Sequence, residues 1–230
     1  MRRILLSAAA LVLLAGCSAA PGAAERSASA PSSPTGTSSV RALLDGLVVR
    51  PERSGAGYDR DRFGYGGDLD PDGDGCWTRR EVLIRDSVVP PTIGASCRVT
   101  GEWRSAFDGR TTTDPDAFTI DHLVPLLEAW RSGAERWDPR RLVAYGNDLG
   151  YRPSLQAVTA ALNEQKGNAD PARWLPPRDH CGYVADWVGV KARWRLAVDP
   201  AELAAIERVL DGCGDLRIPS PGEPDLDSLT

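Results

Sequence analysis

From residue 40 onward the apolar positions recur with periods that switch between helix and strand. Val40, Leu43, Leu44, Leu47 and Val48 share one face of a helical period and predict an amphipathic helix over 39–50. A Gly- and Asp-rich loop over 60–75 separates it from a short helix over 78–86, whose apolar residues are Val82, Leu83 and Ile84. Residues 97–107 alternate as a strand or hairpin that ends in the turn Asp108-Gly109. The stretch 118–123 predicts a strand, 126–132 a helix that Gly133 stops, and 139–145 a helix that ends at Gly146-Asn147. Residues 155–159 suit a strand or the start of a helix, and 160–166 is helical up to Gly167. Helices over 183–194 and 200–210 complete the pattern. There is no internal repeat, and helices mixed with a few scattered strands predict an α+β domain.

The two ends of the chain lack this periodicity. Met1-Arg2-Arg3, the apolar run 4–15 and then Gly16-Cys17 read as an export signal over 1–17. Leu14-Ala15-Gly16-Cys17 has the form of a bacterial lipobox, which predicts lipidation at Cys17 and an exported lipoprotein anchored to the outer side of the membrane. A plain secretory peptide with an incidental Cys17 is the alternative. Residues 18–39 are Ala, Ser, Pro, Gly and Thr with hardly a large apolar residue, the composition of a flexible tether. The domain is expected over 40–213, and the Pro-rich, acidic residues 214–230 as a disordered tail.

Composition narrows the chemistry only a little. With 230 residues, 42% of them hydrophobic, the chain suffices for one domain with a real core. A net charge of -5 argues against coating nucleic acid by bulk attraction, so any such binding must be local. Without Cys17, Cys76, Cys97, Cys181 and Cys213 remain, an even number in an exported chain. Three pairings are possible, of which Cys76-Cys97 and Cys181-Cys213 close the shorter loops. No CxxC pair supports a four-Cys zinc site.

Phosphodiester hydrolysis needs a base for water, a cation on the phosphate and often a cationic side chain nearby. Thr119-Ile120-Asp121-His122-Leu123-Val124-Pro125-Leu126 places a carboxylate and an imidazole on adjacent residues. On a strand these point to opposite faces unless the strand ends there, which Pro125 favours. Asp121-His122-x-Val-Pro, then Asn147 and Asn163-Glu164-Gln165-Lys166-Gly167-Asn168, resembles the HNH (ββα-metal) nucleases. With Ser132-Gly133-Ala134, Asp148, Asp170-Pro171-Ala172 and Trp174-Leu175-Pro176-Pro177, the chain is similar to exported HNH proteins related to the C-terminal domain of GmrSD restriction enzymes. The likeness extends upstream to Asp59-Arg60 and Gly75-Cys76.

The resemblance implies a ββα-metal core among helices and a role for each matched residue. His122 would deprotonate water, Asp121 and Asn163 would ligate the metal, and Asn147 would orient the His ring by a hydrogen bond. Asn163 stands where many HNH proteins carry His, and an amide oxygen favours Mg²⁺ or Mn²⁺ over Zn²⁺. Lys166 is a candidate phosphate contact. The expected activity is a metal-dependent endonuclease on DNA, with RNA left open and little sequence specificity. A non-catalytic, Ca²⁺-stabilised surface lipoprotein that keeps the scaffold as a binding module is the rival, and a toxin nuclease a third reading.

Asp70-x-Asp72-x-Asp74-Gly75-x5-Glu81 also matches a twelve-residue EF-hand loop, with a Cys76 carbonyl at its seventh position. No entering helix precedes it, and Pro71 lies inside it, so an acidic turn capping the next helix is the alternative to a structural Ca²⁺ site. Arg79, Arg80 and Arg85 read as a solvated helix face, or as phosphate contacts where their helix packs beside the ββα unit, His180 reads as structural, and Trp103, Trp130, Trp137, Trp174, Trp187 and Trp194 as core.

Overall fold

Asp199-Pro200 shows how local chemistry sets the elements. The Asp199 carboxylate accepts from the amides of Ala201 and Glu202, Glu202 bonds back to the Asp199 amide, and Pro200 occupies the first turn, where it needs no N–H. The computed structural model describes residues 36–66, 69–70 and 73–226. The export signal, Cys17, most of the tether and Asp72 lie outside the described residues.

In chain order the strands are β1 (Thr37–Ser39), β2 (Thr92–Gly94), β3 (Arg98–Thr100), β4 (Trp103–Arg104), β5 (Thr111–Thr112), β6 (Phe118–His122), β7 (Leu155–Thr159) and β8 (Arg217–Pro219). The helices are α1 (Val40–Asp45), α2 (Thr78–Asp86), α3 (Leu126–Arg131), α4 (Pro139–Gly146), α5 (Ala160–Lys166), α6 (His180–Trp194) and α7 (Pro200–Leu210). Strands pair antiparallel two by two, as β1-β8, β2-β3, β4-β5 and β6-β7. The α+β class is as expected, but the alternation over 97–107 is not one hairpin, because β3 and β4 each take a different partner. None of the described helices is long and apolar enough to cross a membrane.

The larger core gathers around α6, whose Val184, Trp187, Val188 and Trp194 are fully or almost fully buried. A smaller one holds Val82, Leu83 and Trp103 against Ile120 and Leu155 of the β6-β7 pair. Trp130 and Trp103 are buried as expected, whereas Trp137 and Trp174 are only partly so. At the centre, Lys191 of α6 bonds Glu128 of α3 at 2.8 Å, Glu202 of α7 at 2.8 Å, Ser132 Oγ at 2.8 Å and the Ala197 carbonyl at 2.9 Å. Burial pushes the Glu202 carboxyl up to about 7.

The C-terminal segment corrects the expectation of a disordered tail. Residues 214–226 pack against the domain through β8, which pairs with β1, and Arg193 donates to the carbonyls of Pro221 and Glu223. Past β8 the segment has no regular ladder to use its carbonyls, and the buried Arg193 takes those of Pro221 and Glu223. The domain therefore starts before residue 40, at β1. Disulfides join Cys76 to Cys97 and Cys181 to Cys213.

Candidate active site

Strands β6 and β7 pair over five residues in register, Phe118↔Thr159 to His122↔Leu155, and α5 follows β7 directly. Alternation splits the pair into two faces. Thr119 and Asp121 face α5, where Asn163 Nδ2 donates to Thr119 Oγ1 at 3.0 Å and Lys166 Nζ donates to both Asp121 oxygens at 2.7 Å. Ile120 and Leu155 lie in the smaller core on the other face, with His122 beside it. The strand runs on through His122, so Asp121 and His122 point apart and Pro125 does not turn them together.

His122 is buried, and its Nε2 lies 2.9 Å from the Gly146 carbonyl. A carbonyl only accepts, so Nε2 carries the hydrogen and Nδ1 the lone pair. Tyr65 meets the ring edge-on at 4.6 Å, and Tyr145 stacks at 6.4 Å. Burial pushes the imidazole down to about 3, so the ring is neutral near pH 7. Burial also pushes the Tyr65 hydroxyl up to about 12, with Arg79 and Arg60 opposing.

Asn147 does not bond the ring. Its Nδ2 donates to the carbonyls of Val143 at 3.0 Å and Phe63 at 3.3 Å, and its Oδ1 accepts from Thr78 Oγ1 at 2.7 Å. It thus fixes the end of α4, and the neighbouring Gly146 carbonyl orients His122. A side chain at 146 is impossible without movement, since a Cβ there would lie 2.3 Å from the Phe63 oxygen. Tyr65 and Gly146 escaped sequence reasoning, because a main-chain carbonyl leaves no residue-type signal and Tyr65 sits in a Gly-rich loop.

Lys166 is likewise not a free phosphate contact. It is buried between Asp121 and the His122 carbonyl, 2.8 Å away, because Asp121 is a buried carboxylate that needs a cation. Burial pushes Asp121 up and Lys166 down, each opposed by the other's charge. These contacts test the fit of a divalent ion: the ammonium already meets both Asp121 oxygens, so the carboxylate suits a cation, and an ion must displace Lys166. Arg79 and Arg85 are not a solvated face either. Arg79 donates to the carbonyls of Pro115 and Phe118, and Arg85 to that of Leu155, steadying the ends of β6 and β7.

In the acidic loop, the Asp70 carboxylate accepts from the amides of Gly73 at 2.9 Å and Gly75 at 2.8 Å, and α2 begins at Thr78, the ninth loop position. Gly75 has a positive φ of 91°, which glycine adopts without strain. Asp74 and Glu81 each offer a carboxylate oxygen, within 4.8 Å of one another. Cys76, in a disulfide, offers only its carbonyl. His180 opens α6, exposed, with a ring nitrogen 2.8 Å from the Pro176 carbonyl.

Residues 95–208 match the family model of the C-terminal domain of GmrSD restriction endonucleases. An uncharacterized secreted protein of Arthroderma benhamiae is 38% identical over 178 residues, which span 76% of this chain and 85% of that protein. The chain belongs to the GmrSD C-terminal domain family. The matched residues include both strands of the β6-β7 pair, α5 and the Gly146 turn, so this is a nuclease-related domain. The secreted relative supports export of the GmrSD-type chain as well. No solved structure matches it.

On the Asp121 side of the GmrSD-type domain, Asp186 and Gln156 line a small hollow with Phe107 and Leu123. Burial, then Asp179, push the Asp186 carboxyl up from 3.8 to about 6. The folded protein holds this proton more tightly than the unfolded chain, so the contribution is fully present below pH 4 and is lost as pH rises through 6. Asp186→Asn is expected to raise stability at pH 8 by on the order of 1 kcal/mol and to leave it nearly unchanged near pH 4. Urea titrations at both values check this; a gain equal at both would count against it.

Proposed function

We propose that this protein is an exported, lipid-anchored HNH endonuclease that hydrolyses phosphodiester bonds of DNA with Mg²⁺ or Mn²⁺. The observation that carries the reading is His122, a neutral imidazole held through Nε2 by the Gly146 carbonyl on a ββα unit. That tautomer leaves Nδ1 to take a proton from water. A ring near 3 is a weak base, but an approaching phosphate brings negative charge, which raises the imidazole toward the working range. Asn147 and Thr78 keep the Gly146 peptide in place, so the ring cannot turn its lone pair away.

Asp121 and Asn163, on the α5 face, would hold the divalent ion once Lys166 leaves Asp121 for the phosphate. Since His122 faces the other way, ion and base would meet one phosphate at the open end of β6, where His122 is the last residue. When bound, the ion supplies charge neutralisation on the phosphate and the leaving oxygen. The loop from Asp70 to Glu81, with Asp72 and Asp74, would hold a structural Ca²⁺, which the Asp70 hydrogen bonds to Gly73 and Gly75 support.

One metal panel tests the catalytic and the Ca²⁺ readings together. Plasmid and RNA are incubated with Mg²⁺, Mn²⁺, Zn²⁺ or Ca²⁺, and melting is followed in parallel. Cleavage is expected with Mg²⁺ or Mn²⁺, to stop with EDTA, and to fall about 10²–10⁴-fold in His122→Ala. Ca²⁺ should raise the melting temperature of Asp121→Ala but not of Asp74→Asn. Full activity in His122→Ala removes the base, and a Ca²⁺ response retained in Asp74→Asn removes the loop site.

A further inference from the structure

The hairpin β4-β5 ends in a turn over 105–110 that is tied to the far end of β7. Ser105 Oγ lies 3.1 Å from Thr159 Oγ1, which donates to Asp108 Oδ2 at 2.8 Å. Above this turn two arginine head groups converge. Arg178 Nη1 lies 2.8 Å, and Arg104 Nη2 and Nε lie 3.5 and 3.6 Å, from the point a Cβ on Gly109 would occupy. Both side chains are exposed. Arg178 donates to the Asp108 carbonyl at 3.2 Å, and Arg104 has no hydrogen bond or ion pair among the described residues.

Among the described residues no carboxylate is hydrogen-bonded or ion-paired to either guanidinium group. Asp108 turns its carboxylate inward to Thr159, and the Asp179 carboxylate caps α6 through the Gly182 amide at 2.9 Å. Gly109, with a positive φ of 73°, keeps the floor of the hollow free of a side chain. The cavity holds about 450 Å³ and is lined by Arg104, Ser105, Ala106, Gly109, Arg178 and Asp179. Ala106 and Asp179 also line the smaller hollow that reaches Gln156, which pairs with Asp121 across β6-β7.

Two adjacent guanidinium forks with no ion-paired carboxylate between them favour an anion there, and their planar donors match phosphate oxygens. We propose that Arg104 and Arg178 form an anion site that grips a backbone phosphate of the nucleic acid, on the flank of the domain that bears Asp121. The proposal rests on the nuclease reading for the identity of its ligand. The grip sets affinity for a polymer and not the chemistry, because the pair lies at the opposite end of β7 from the residue facing His122.

The test uses the full chain carrying His122→Ala, so that the probe survives, and reads the anisotropy of a labelled oligonucleotide across a salt series. Arg104→Ala with Arg178→Ala should weaken binding about tenfold at low salt and reduce the salt slope by about one to two. Arg208→Ala, an exposed arginine on α7, should change neither. In otherwise unaltered protein the double variant should raise the KM for DNA and leave turnover of bis(p-nitrophenyl) phosphate, which is too short to reach the pair, unchanged. Unchanged affinity and slope in a variant that melts like the parent overturn the site. So does calorimetry in which inorganic phosphate binds the pair as tightly as the oligonucleotide does, since the site would then take a small anion. If neither substrate is cleaved by the parent but the arginine-dependent slope remains, the nuclease reading fails and the site stands.

Discussion

Lys191→Met is expected to cost about 3–5 kcal/mol or to prevent folding altogether. The methionine has nearly the same length and leaves no cavity, so the effect isolates charge. The ammonium is completely buried and touches Glu128, Glu202, Ser132 and the Ala197 carbonyl, joining α3, α6 and α7. Burial works against its charge, but Glu202 and Glu128 hold its pKa above the usual lysine value. Without it two buried carboxyls face each other, and one or both must take up a proton. The Glu202 carboxyl, already held above its unfolded value, then rises further, so the variant should be least stable at alkaline pH and recover as pH falls. Adding Glu202→Gln should restore part of the loss. Urea unfolding at pH 5 and pH 8 measures both effects, and a variant within about 1 kcal/mol of the parent at pH 8 would show that the network contributes little.

Gly146→Ala is expected to lower nuclease activity at least about a hundredfold and stability by about 2 kcal/mol. The added methyl would meet the Phe63 oxygen at 2.3 Å and Phe63 Cβ at 3.1 Å. The oxygen belongs to a main chain that also accepts from Asn147, so it cannot swing away as a side-chain tip would. The strain falls on the peptide whose carbonyl holds His122, and a shift there turns the ring. Gly212→Ala, also at a helix end but with its nearest neighbour at 3.6 Å, is the control and should be almost neutral. Cleavage rates beside denaturation midpoints separate the two losses. Activity retained with stability lost would mean that the carbonyl does not orient the base.

The helical parts of this architecture were legible where caps and periodicity agreed. The expected helix over 78–86 and the one over 200–210 coincide with α2 and α7, and the strand over 118–123 ends one residue early as β6. The ambiguous 155–159 becomes β7 because β6 supplies a partner, a tertiary fact that no local pattern contains. The helix over 39–50 shrinks to six residues, as Gly46 ends it and Val48 and Val49 are left exposed.

At the site, residue types and order identified Asp121, His122, Asn147, Asn163 and Lys166 as one neighbourhood, but not who bonds whom. The Lys166–Asp121 pair spans 45 positions and the Gly146 carbonyl has no side chain to read. Glu128, Lys191 and Glu202, each ordinary in its own helix, gave no hint that they meet.

The pairing of β1 with β8 makes the two ends of the domain neighbours, with the Ser220 amide 2.9 Å from the Gly36 oxygen. A short peptide could therefore join them directly, and the chain could be reopened in an exposed turn such as that at 88–90 to yield a circular permutant. The order of the elements along the polypeptide would change while the ββα unit, its carbonyl-held histidine and the arginine pair kept their places.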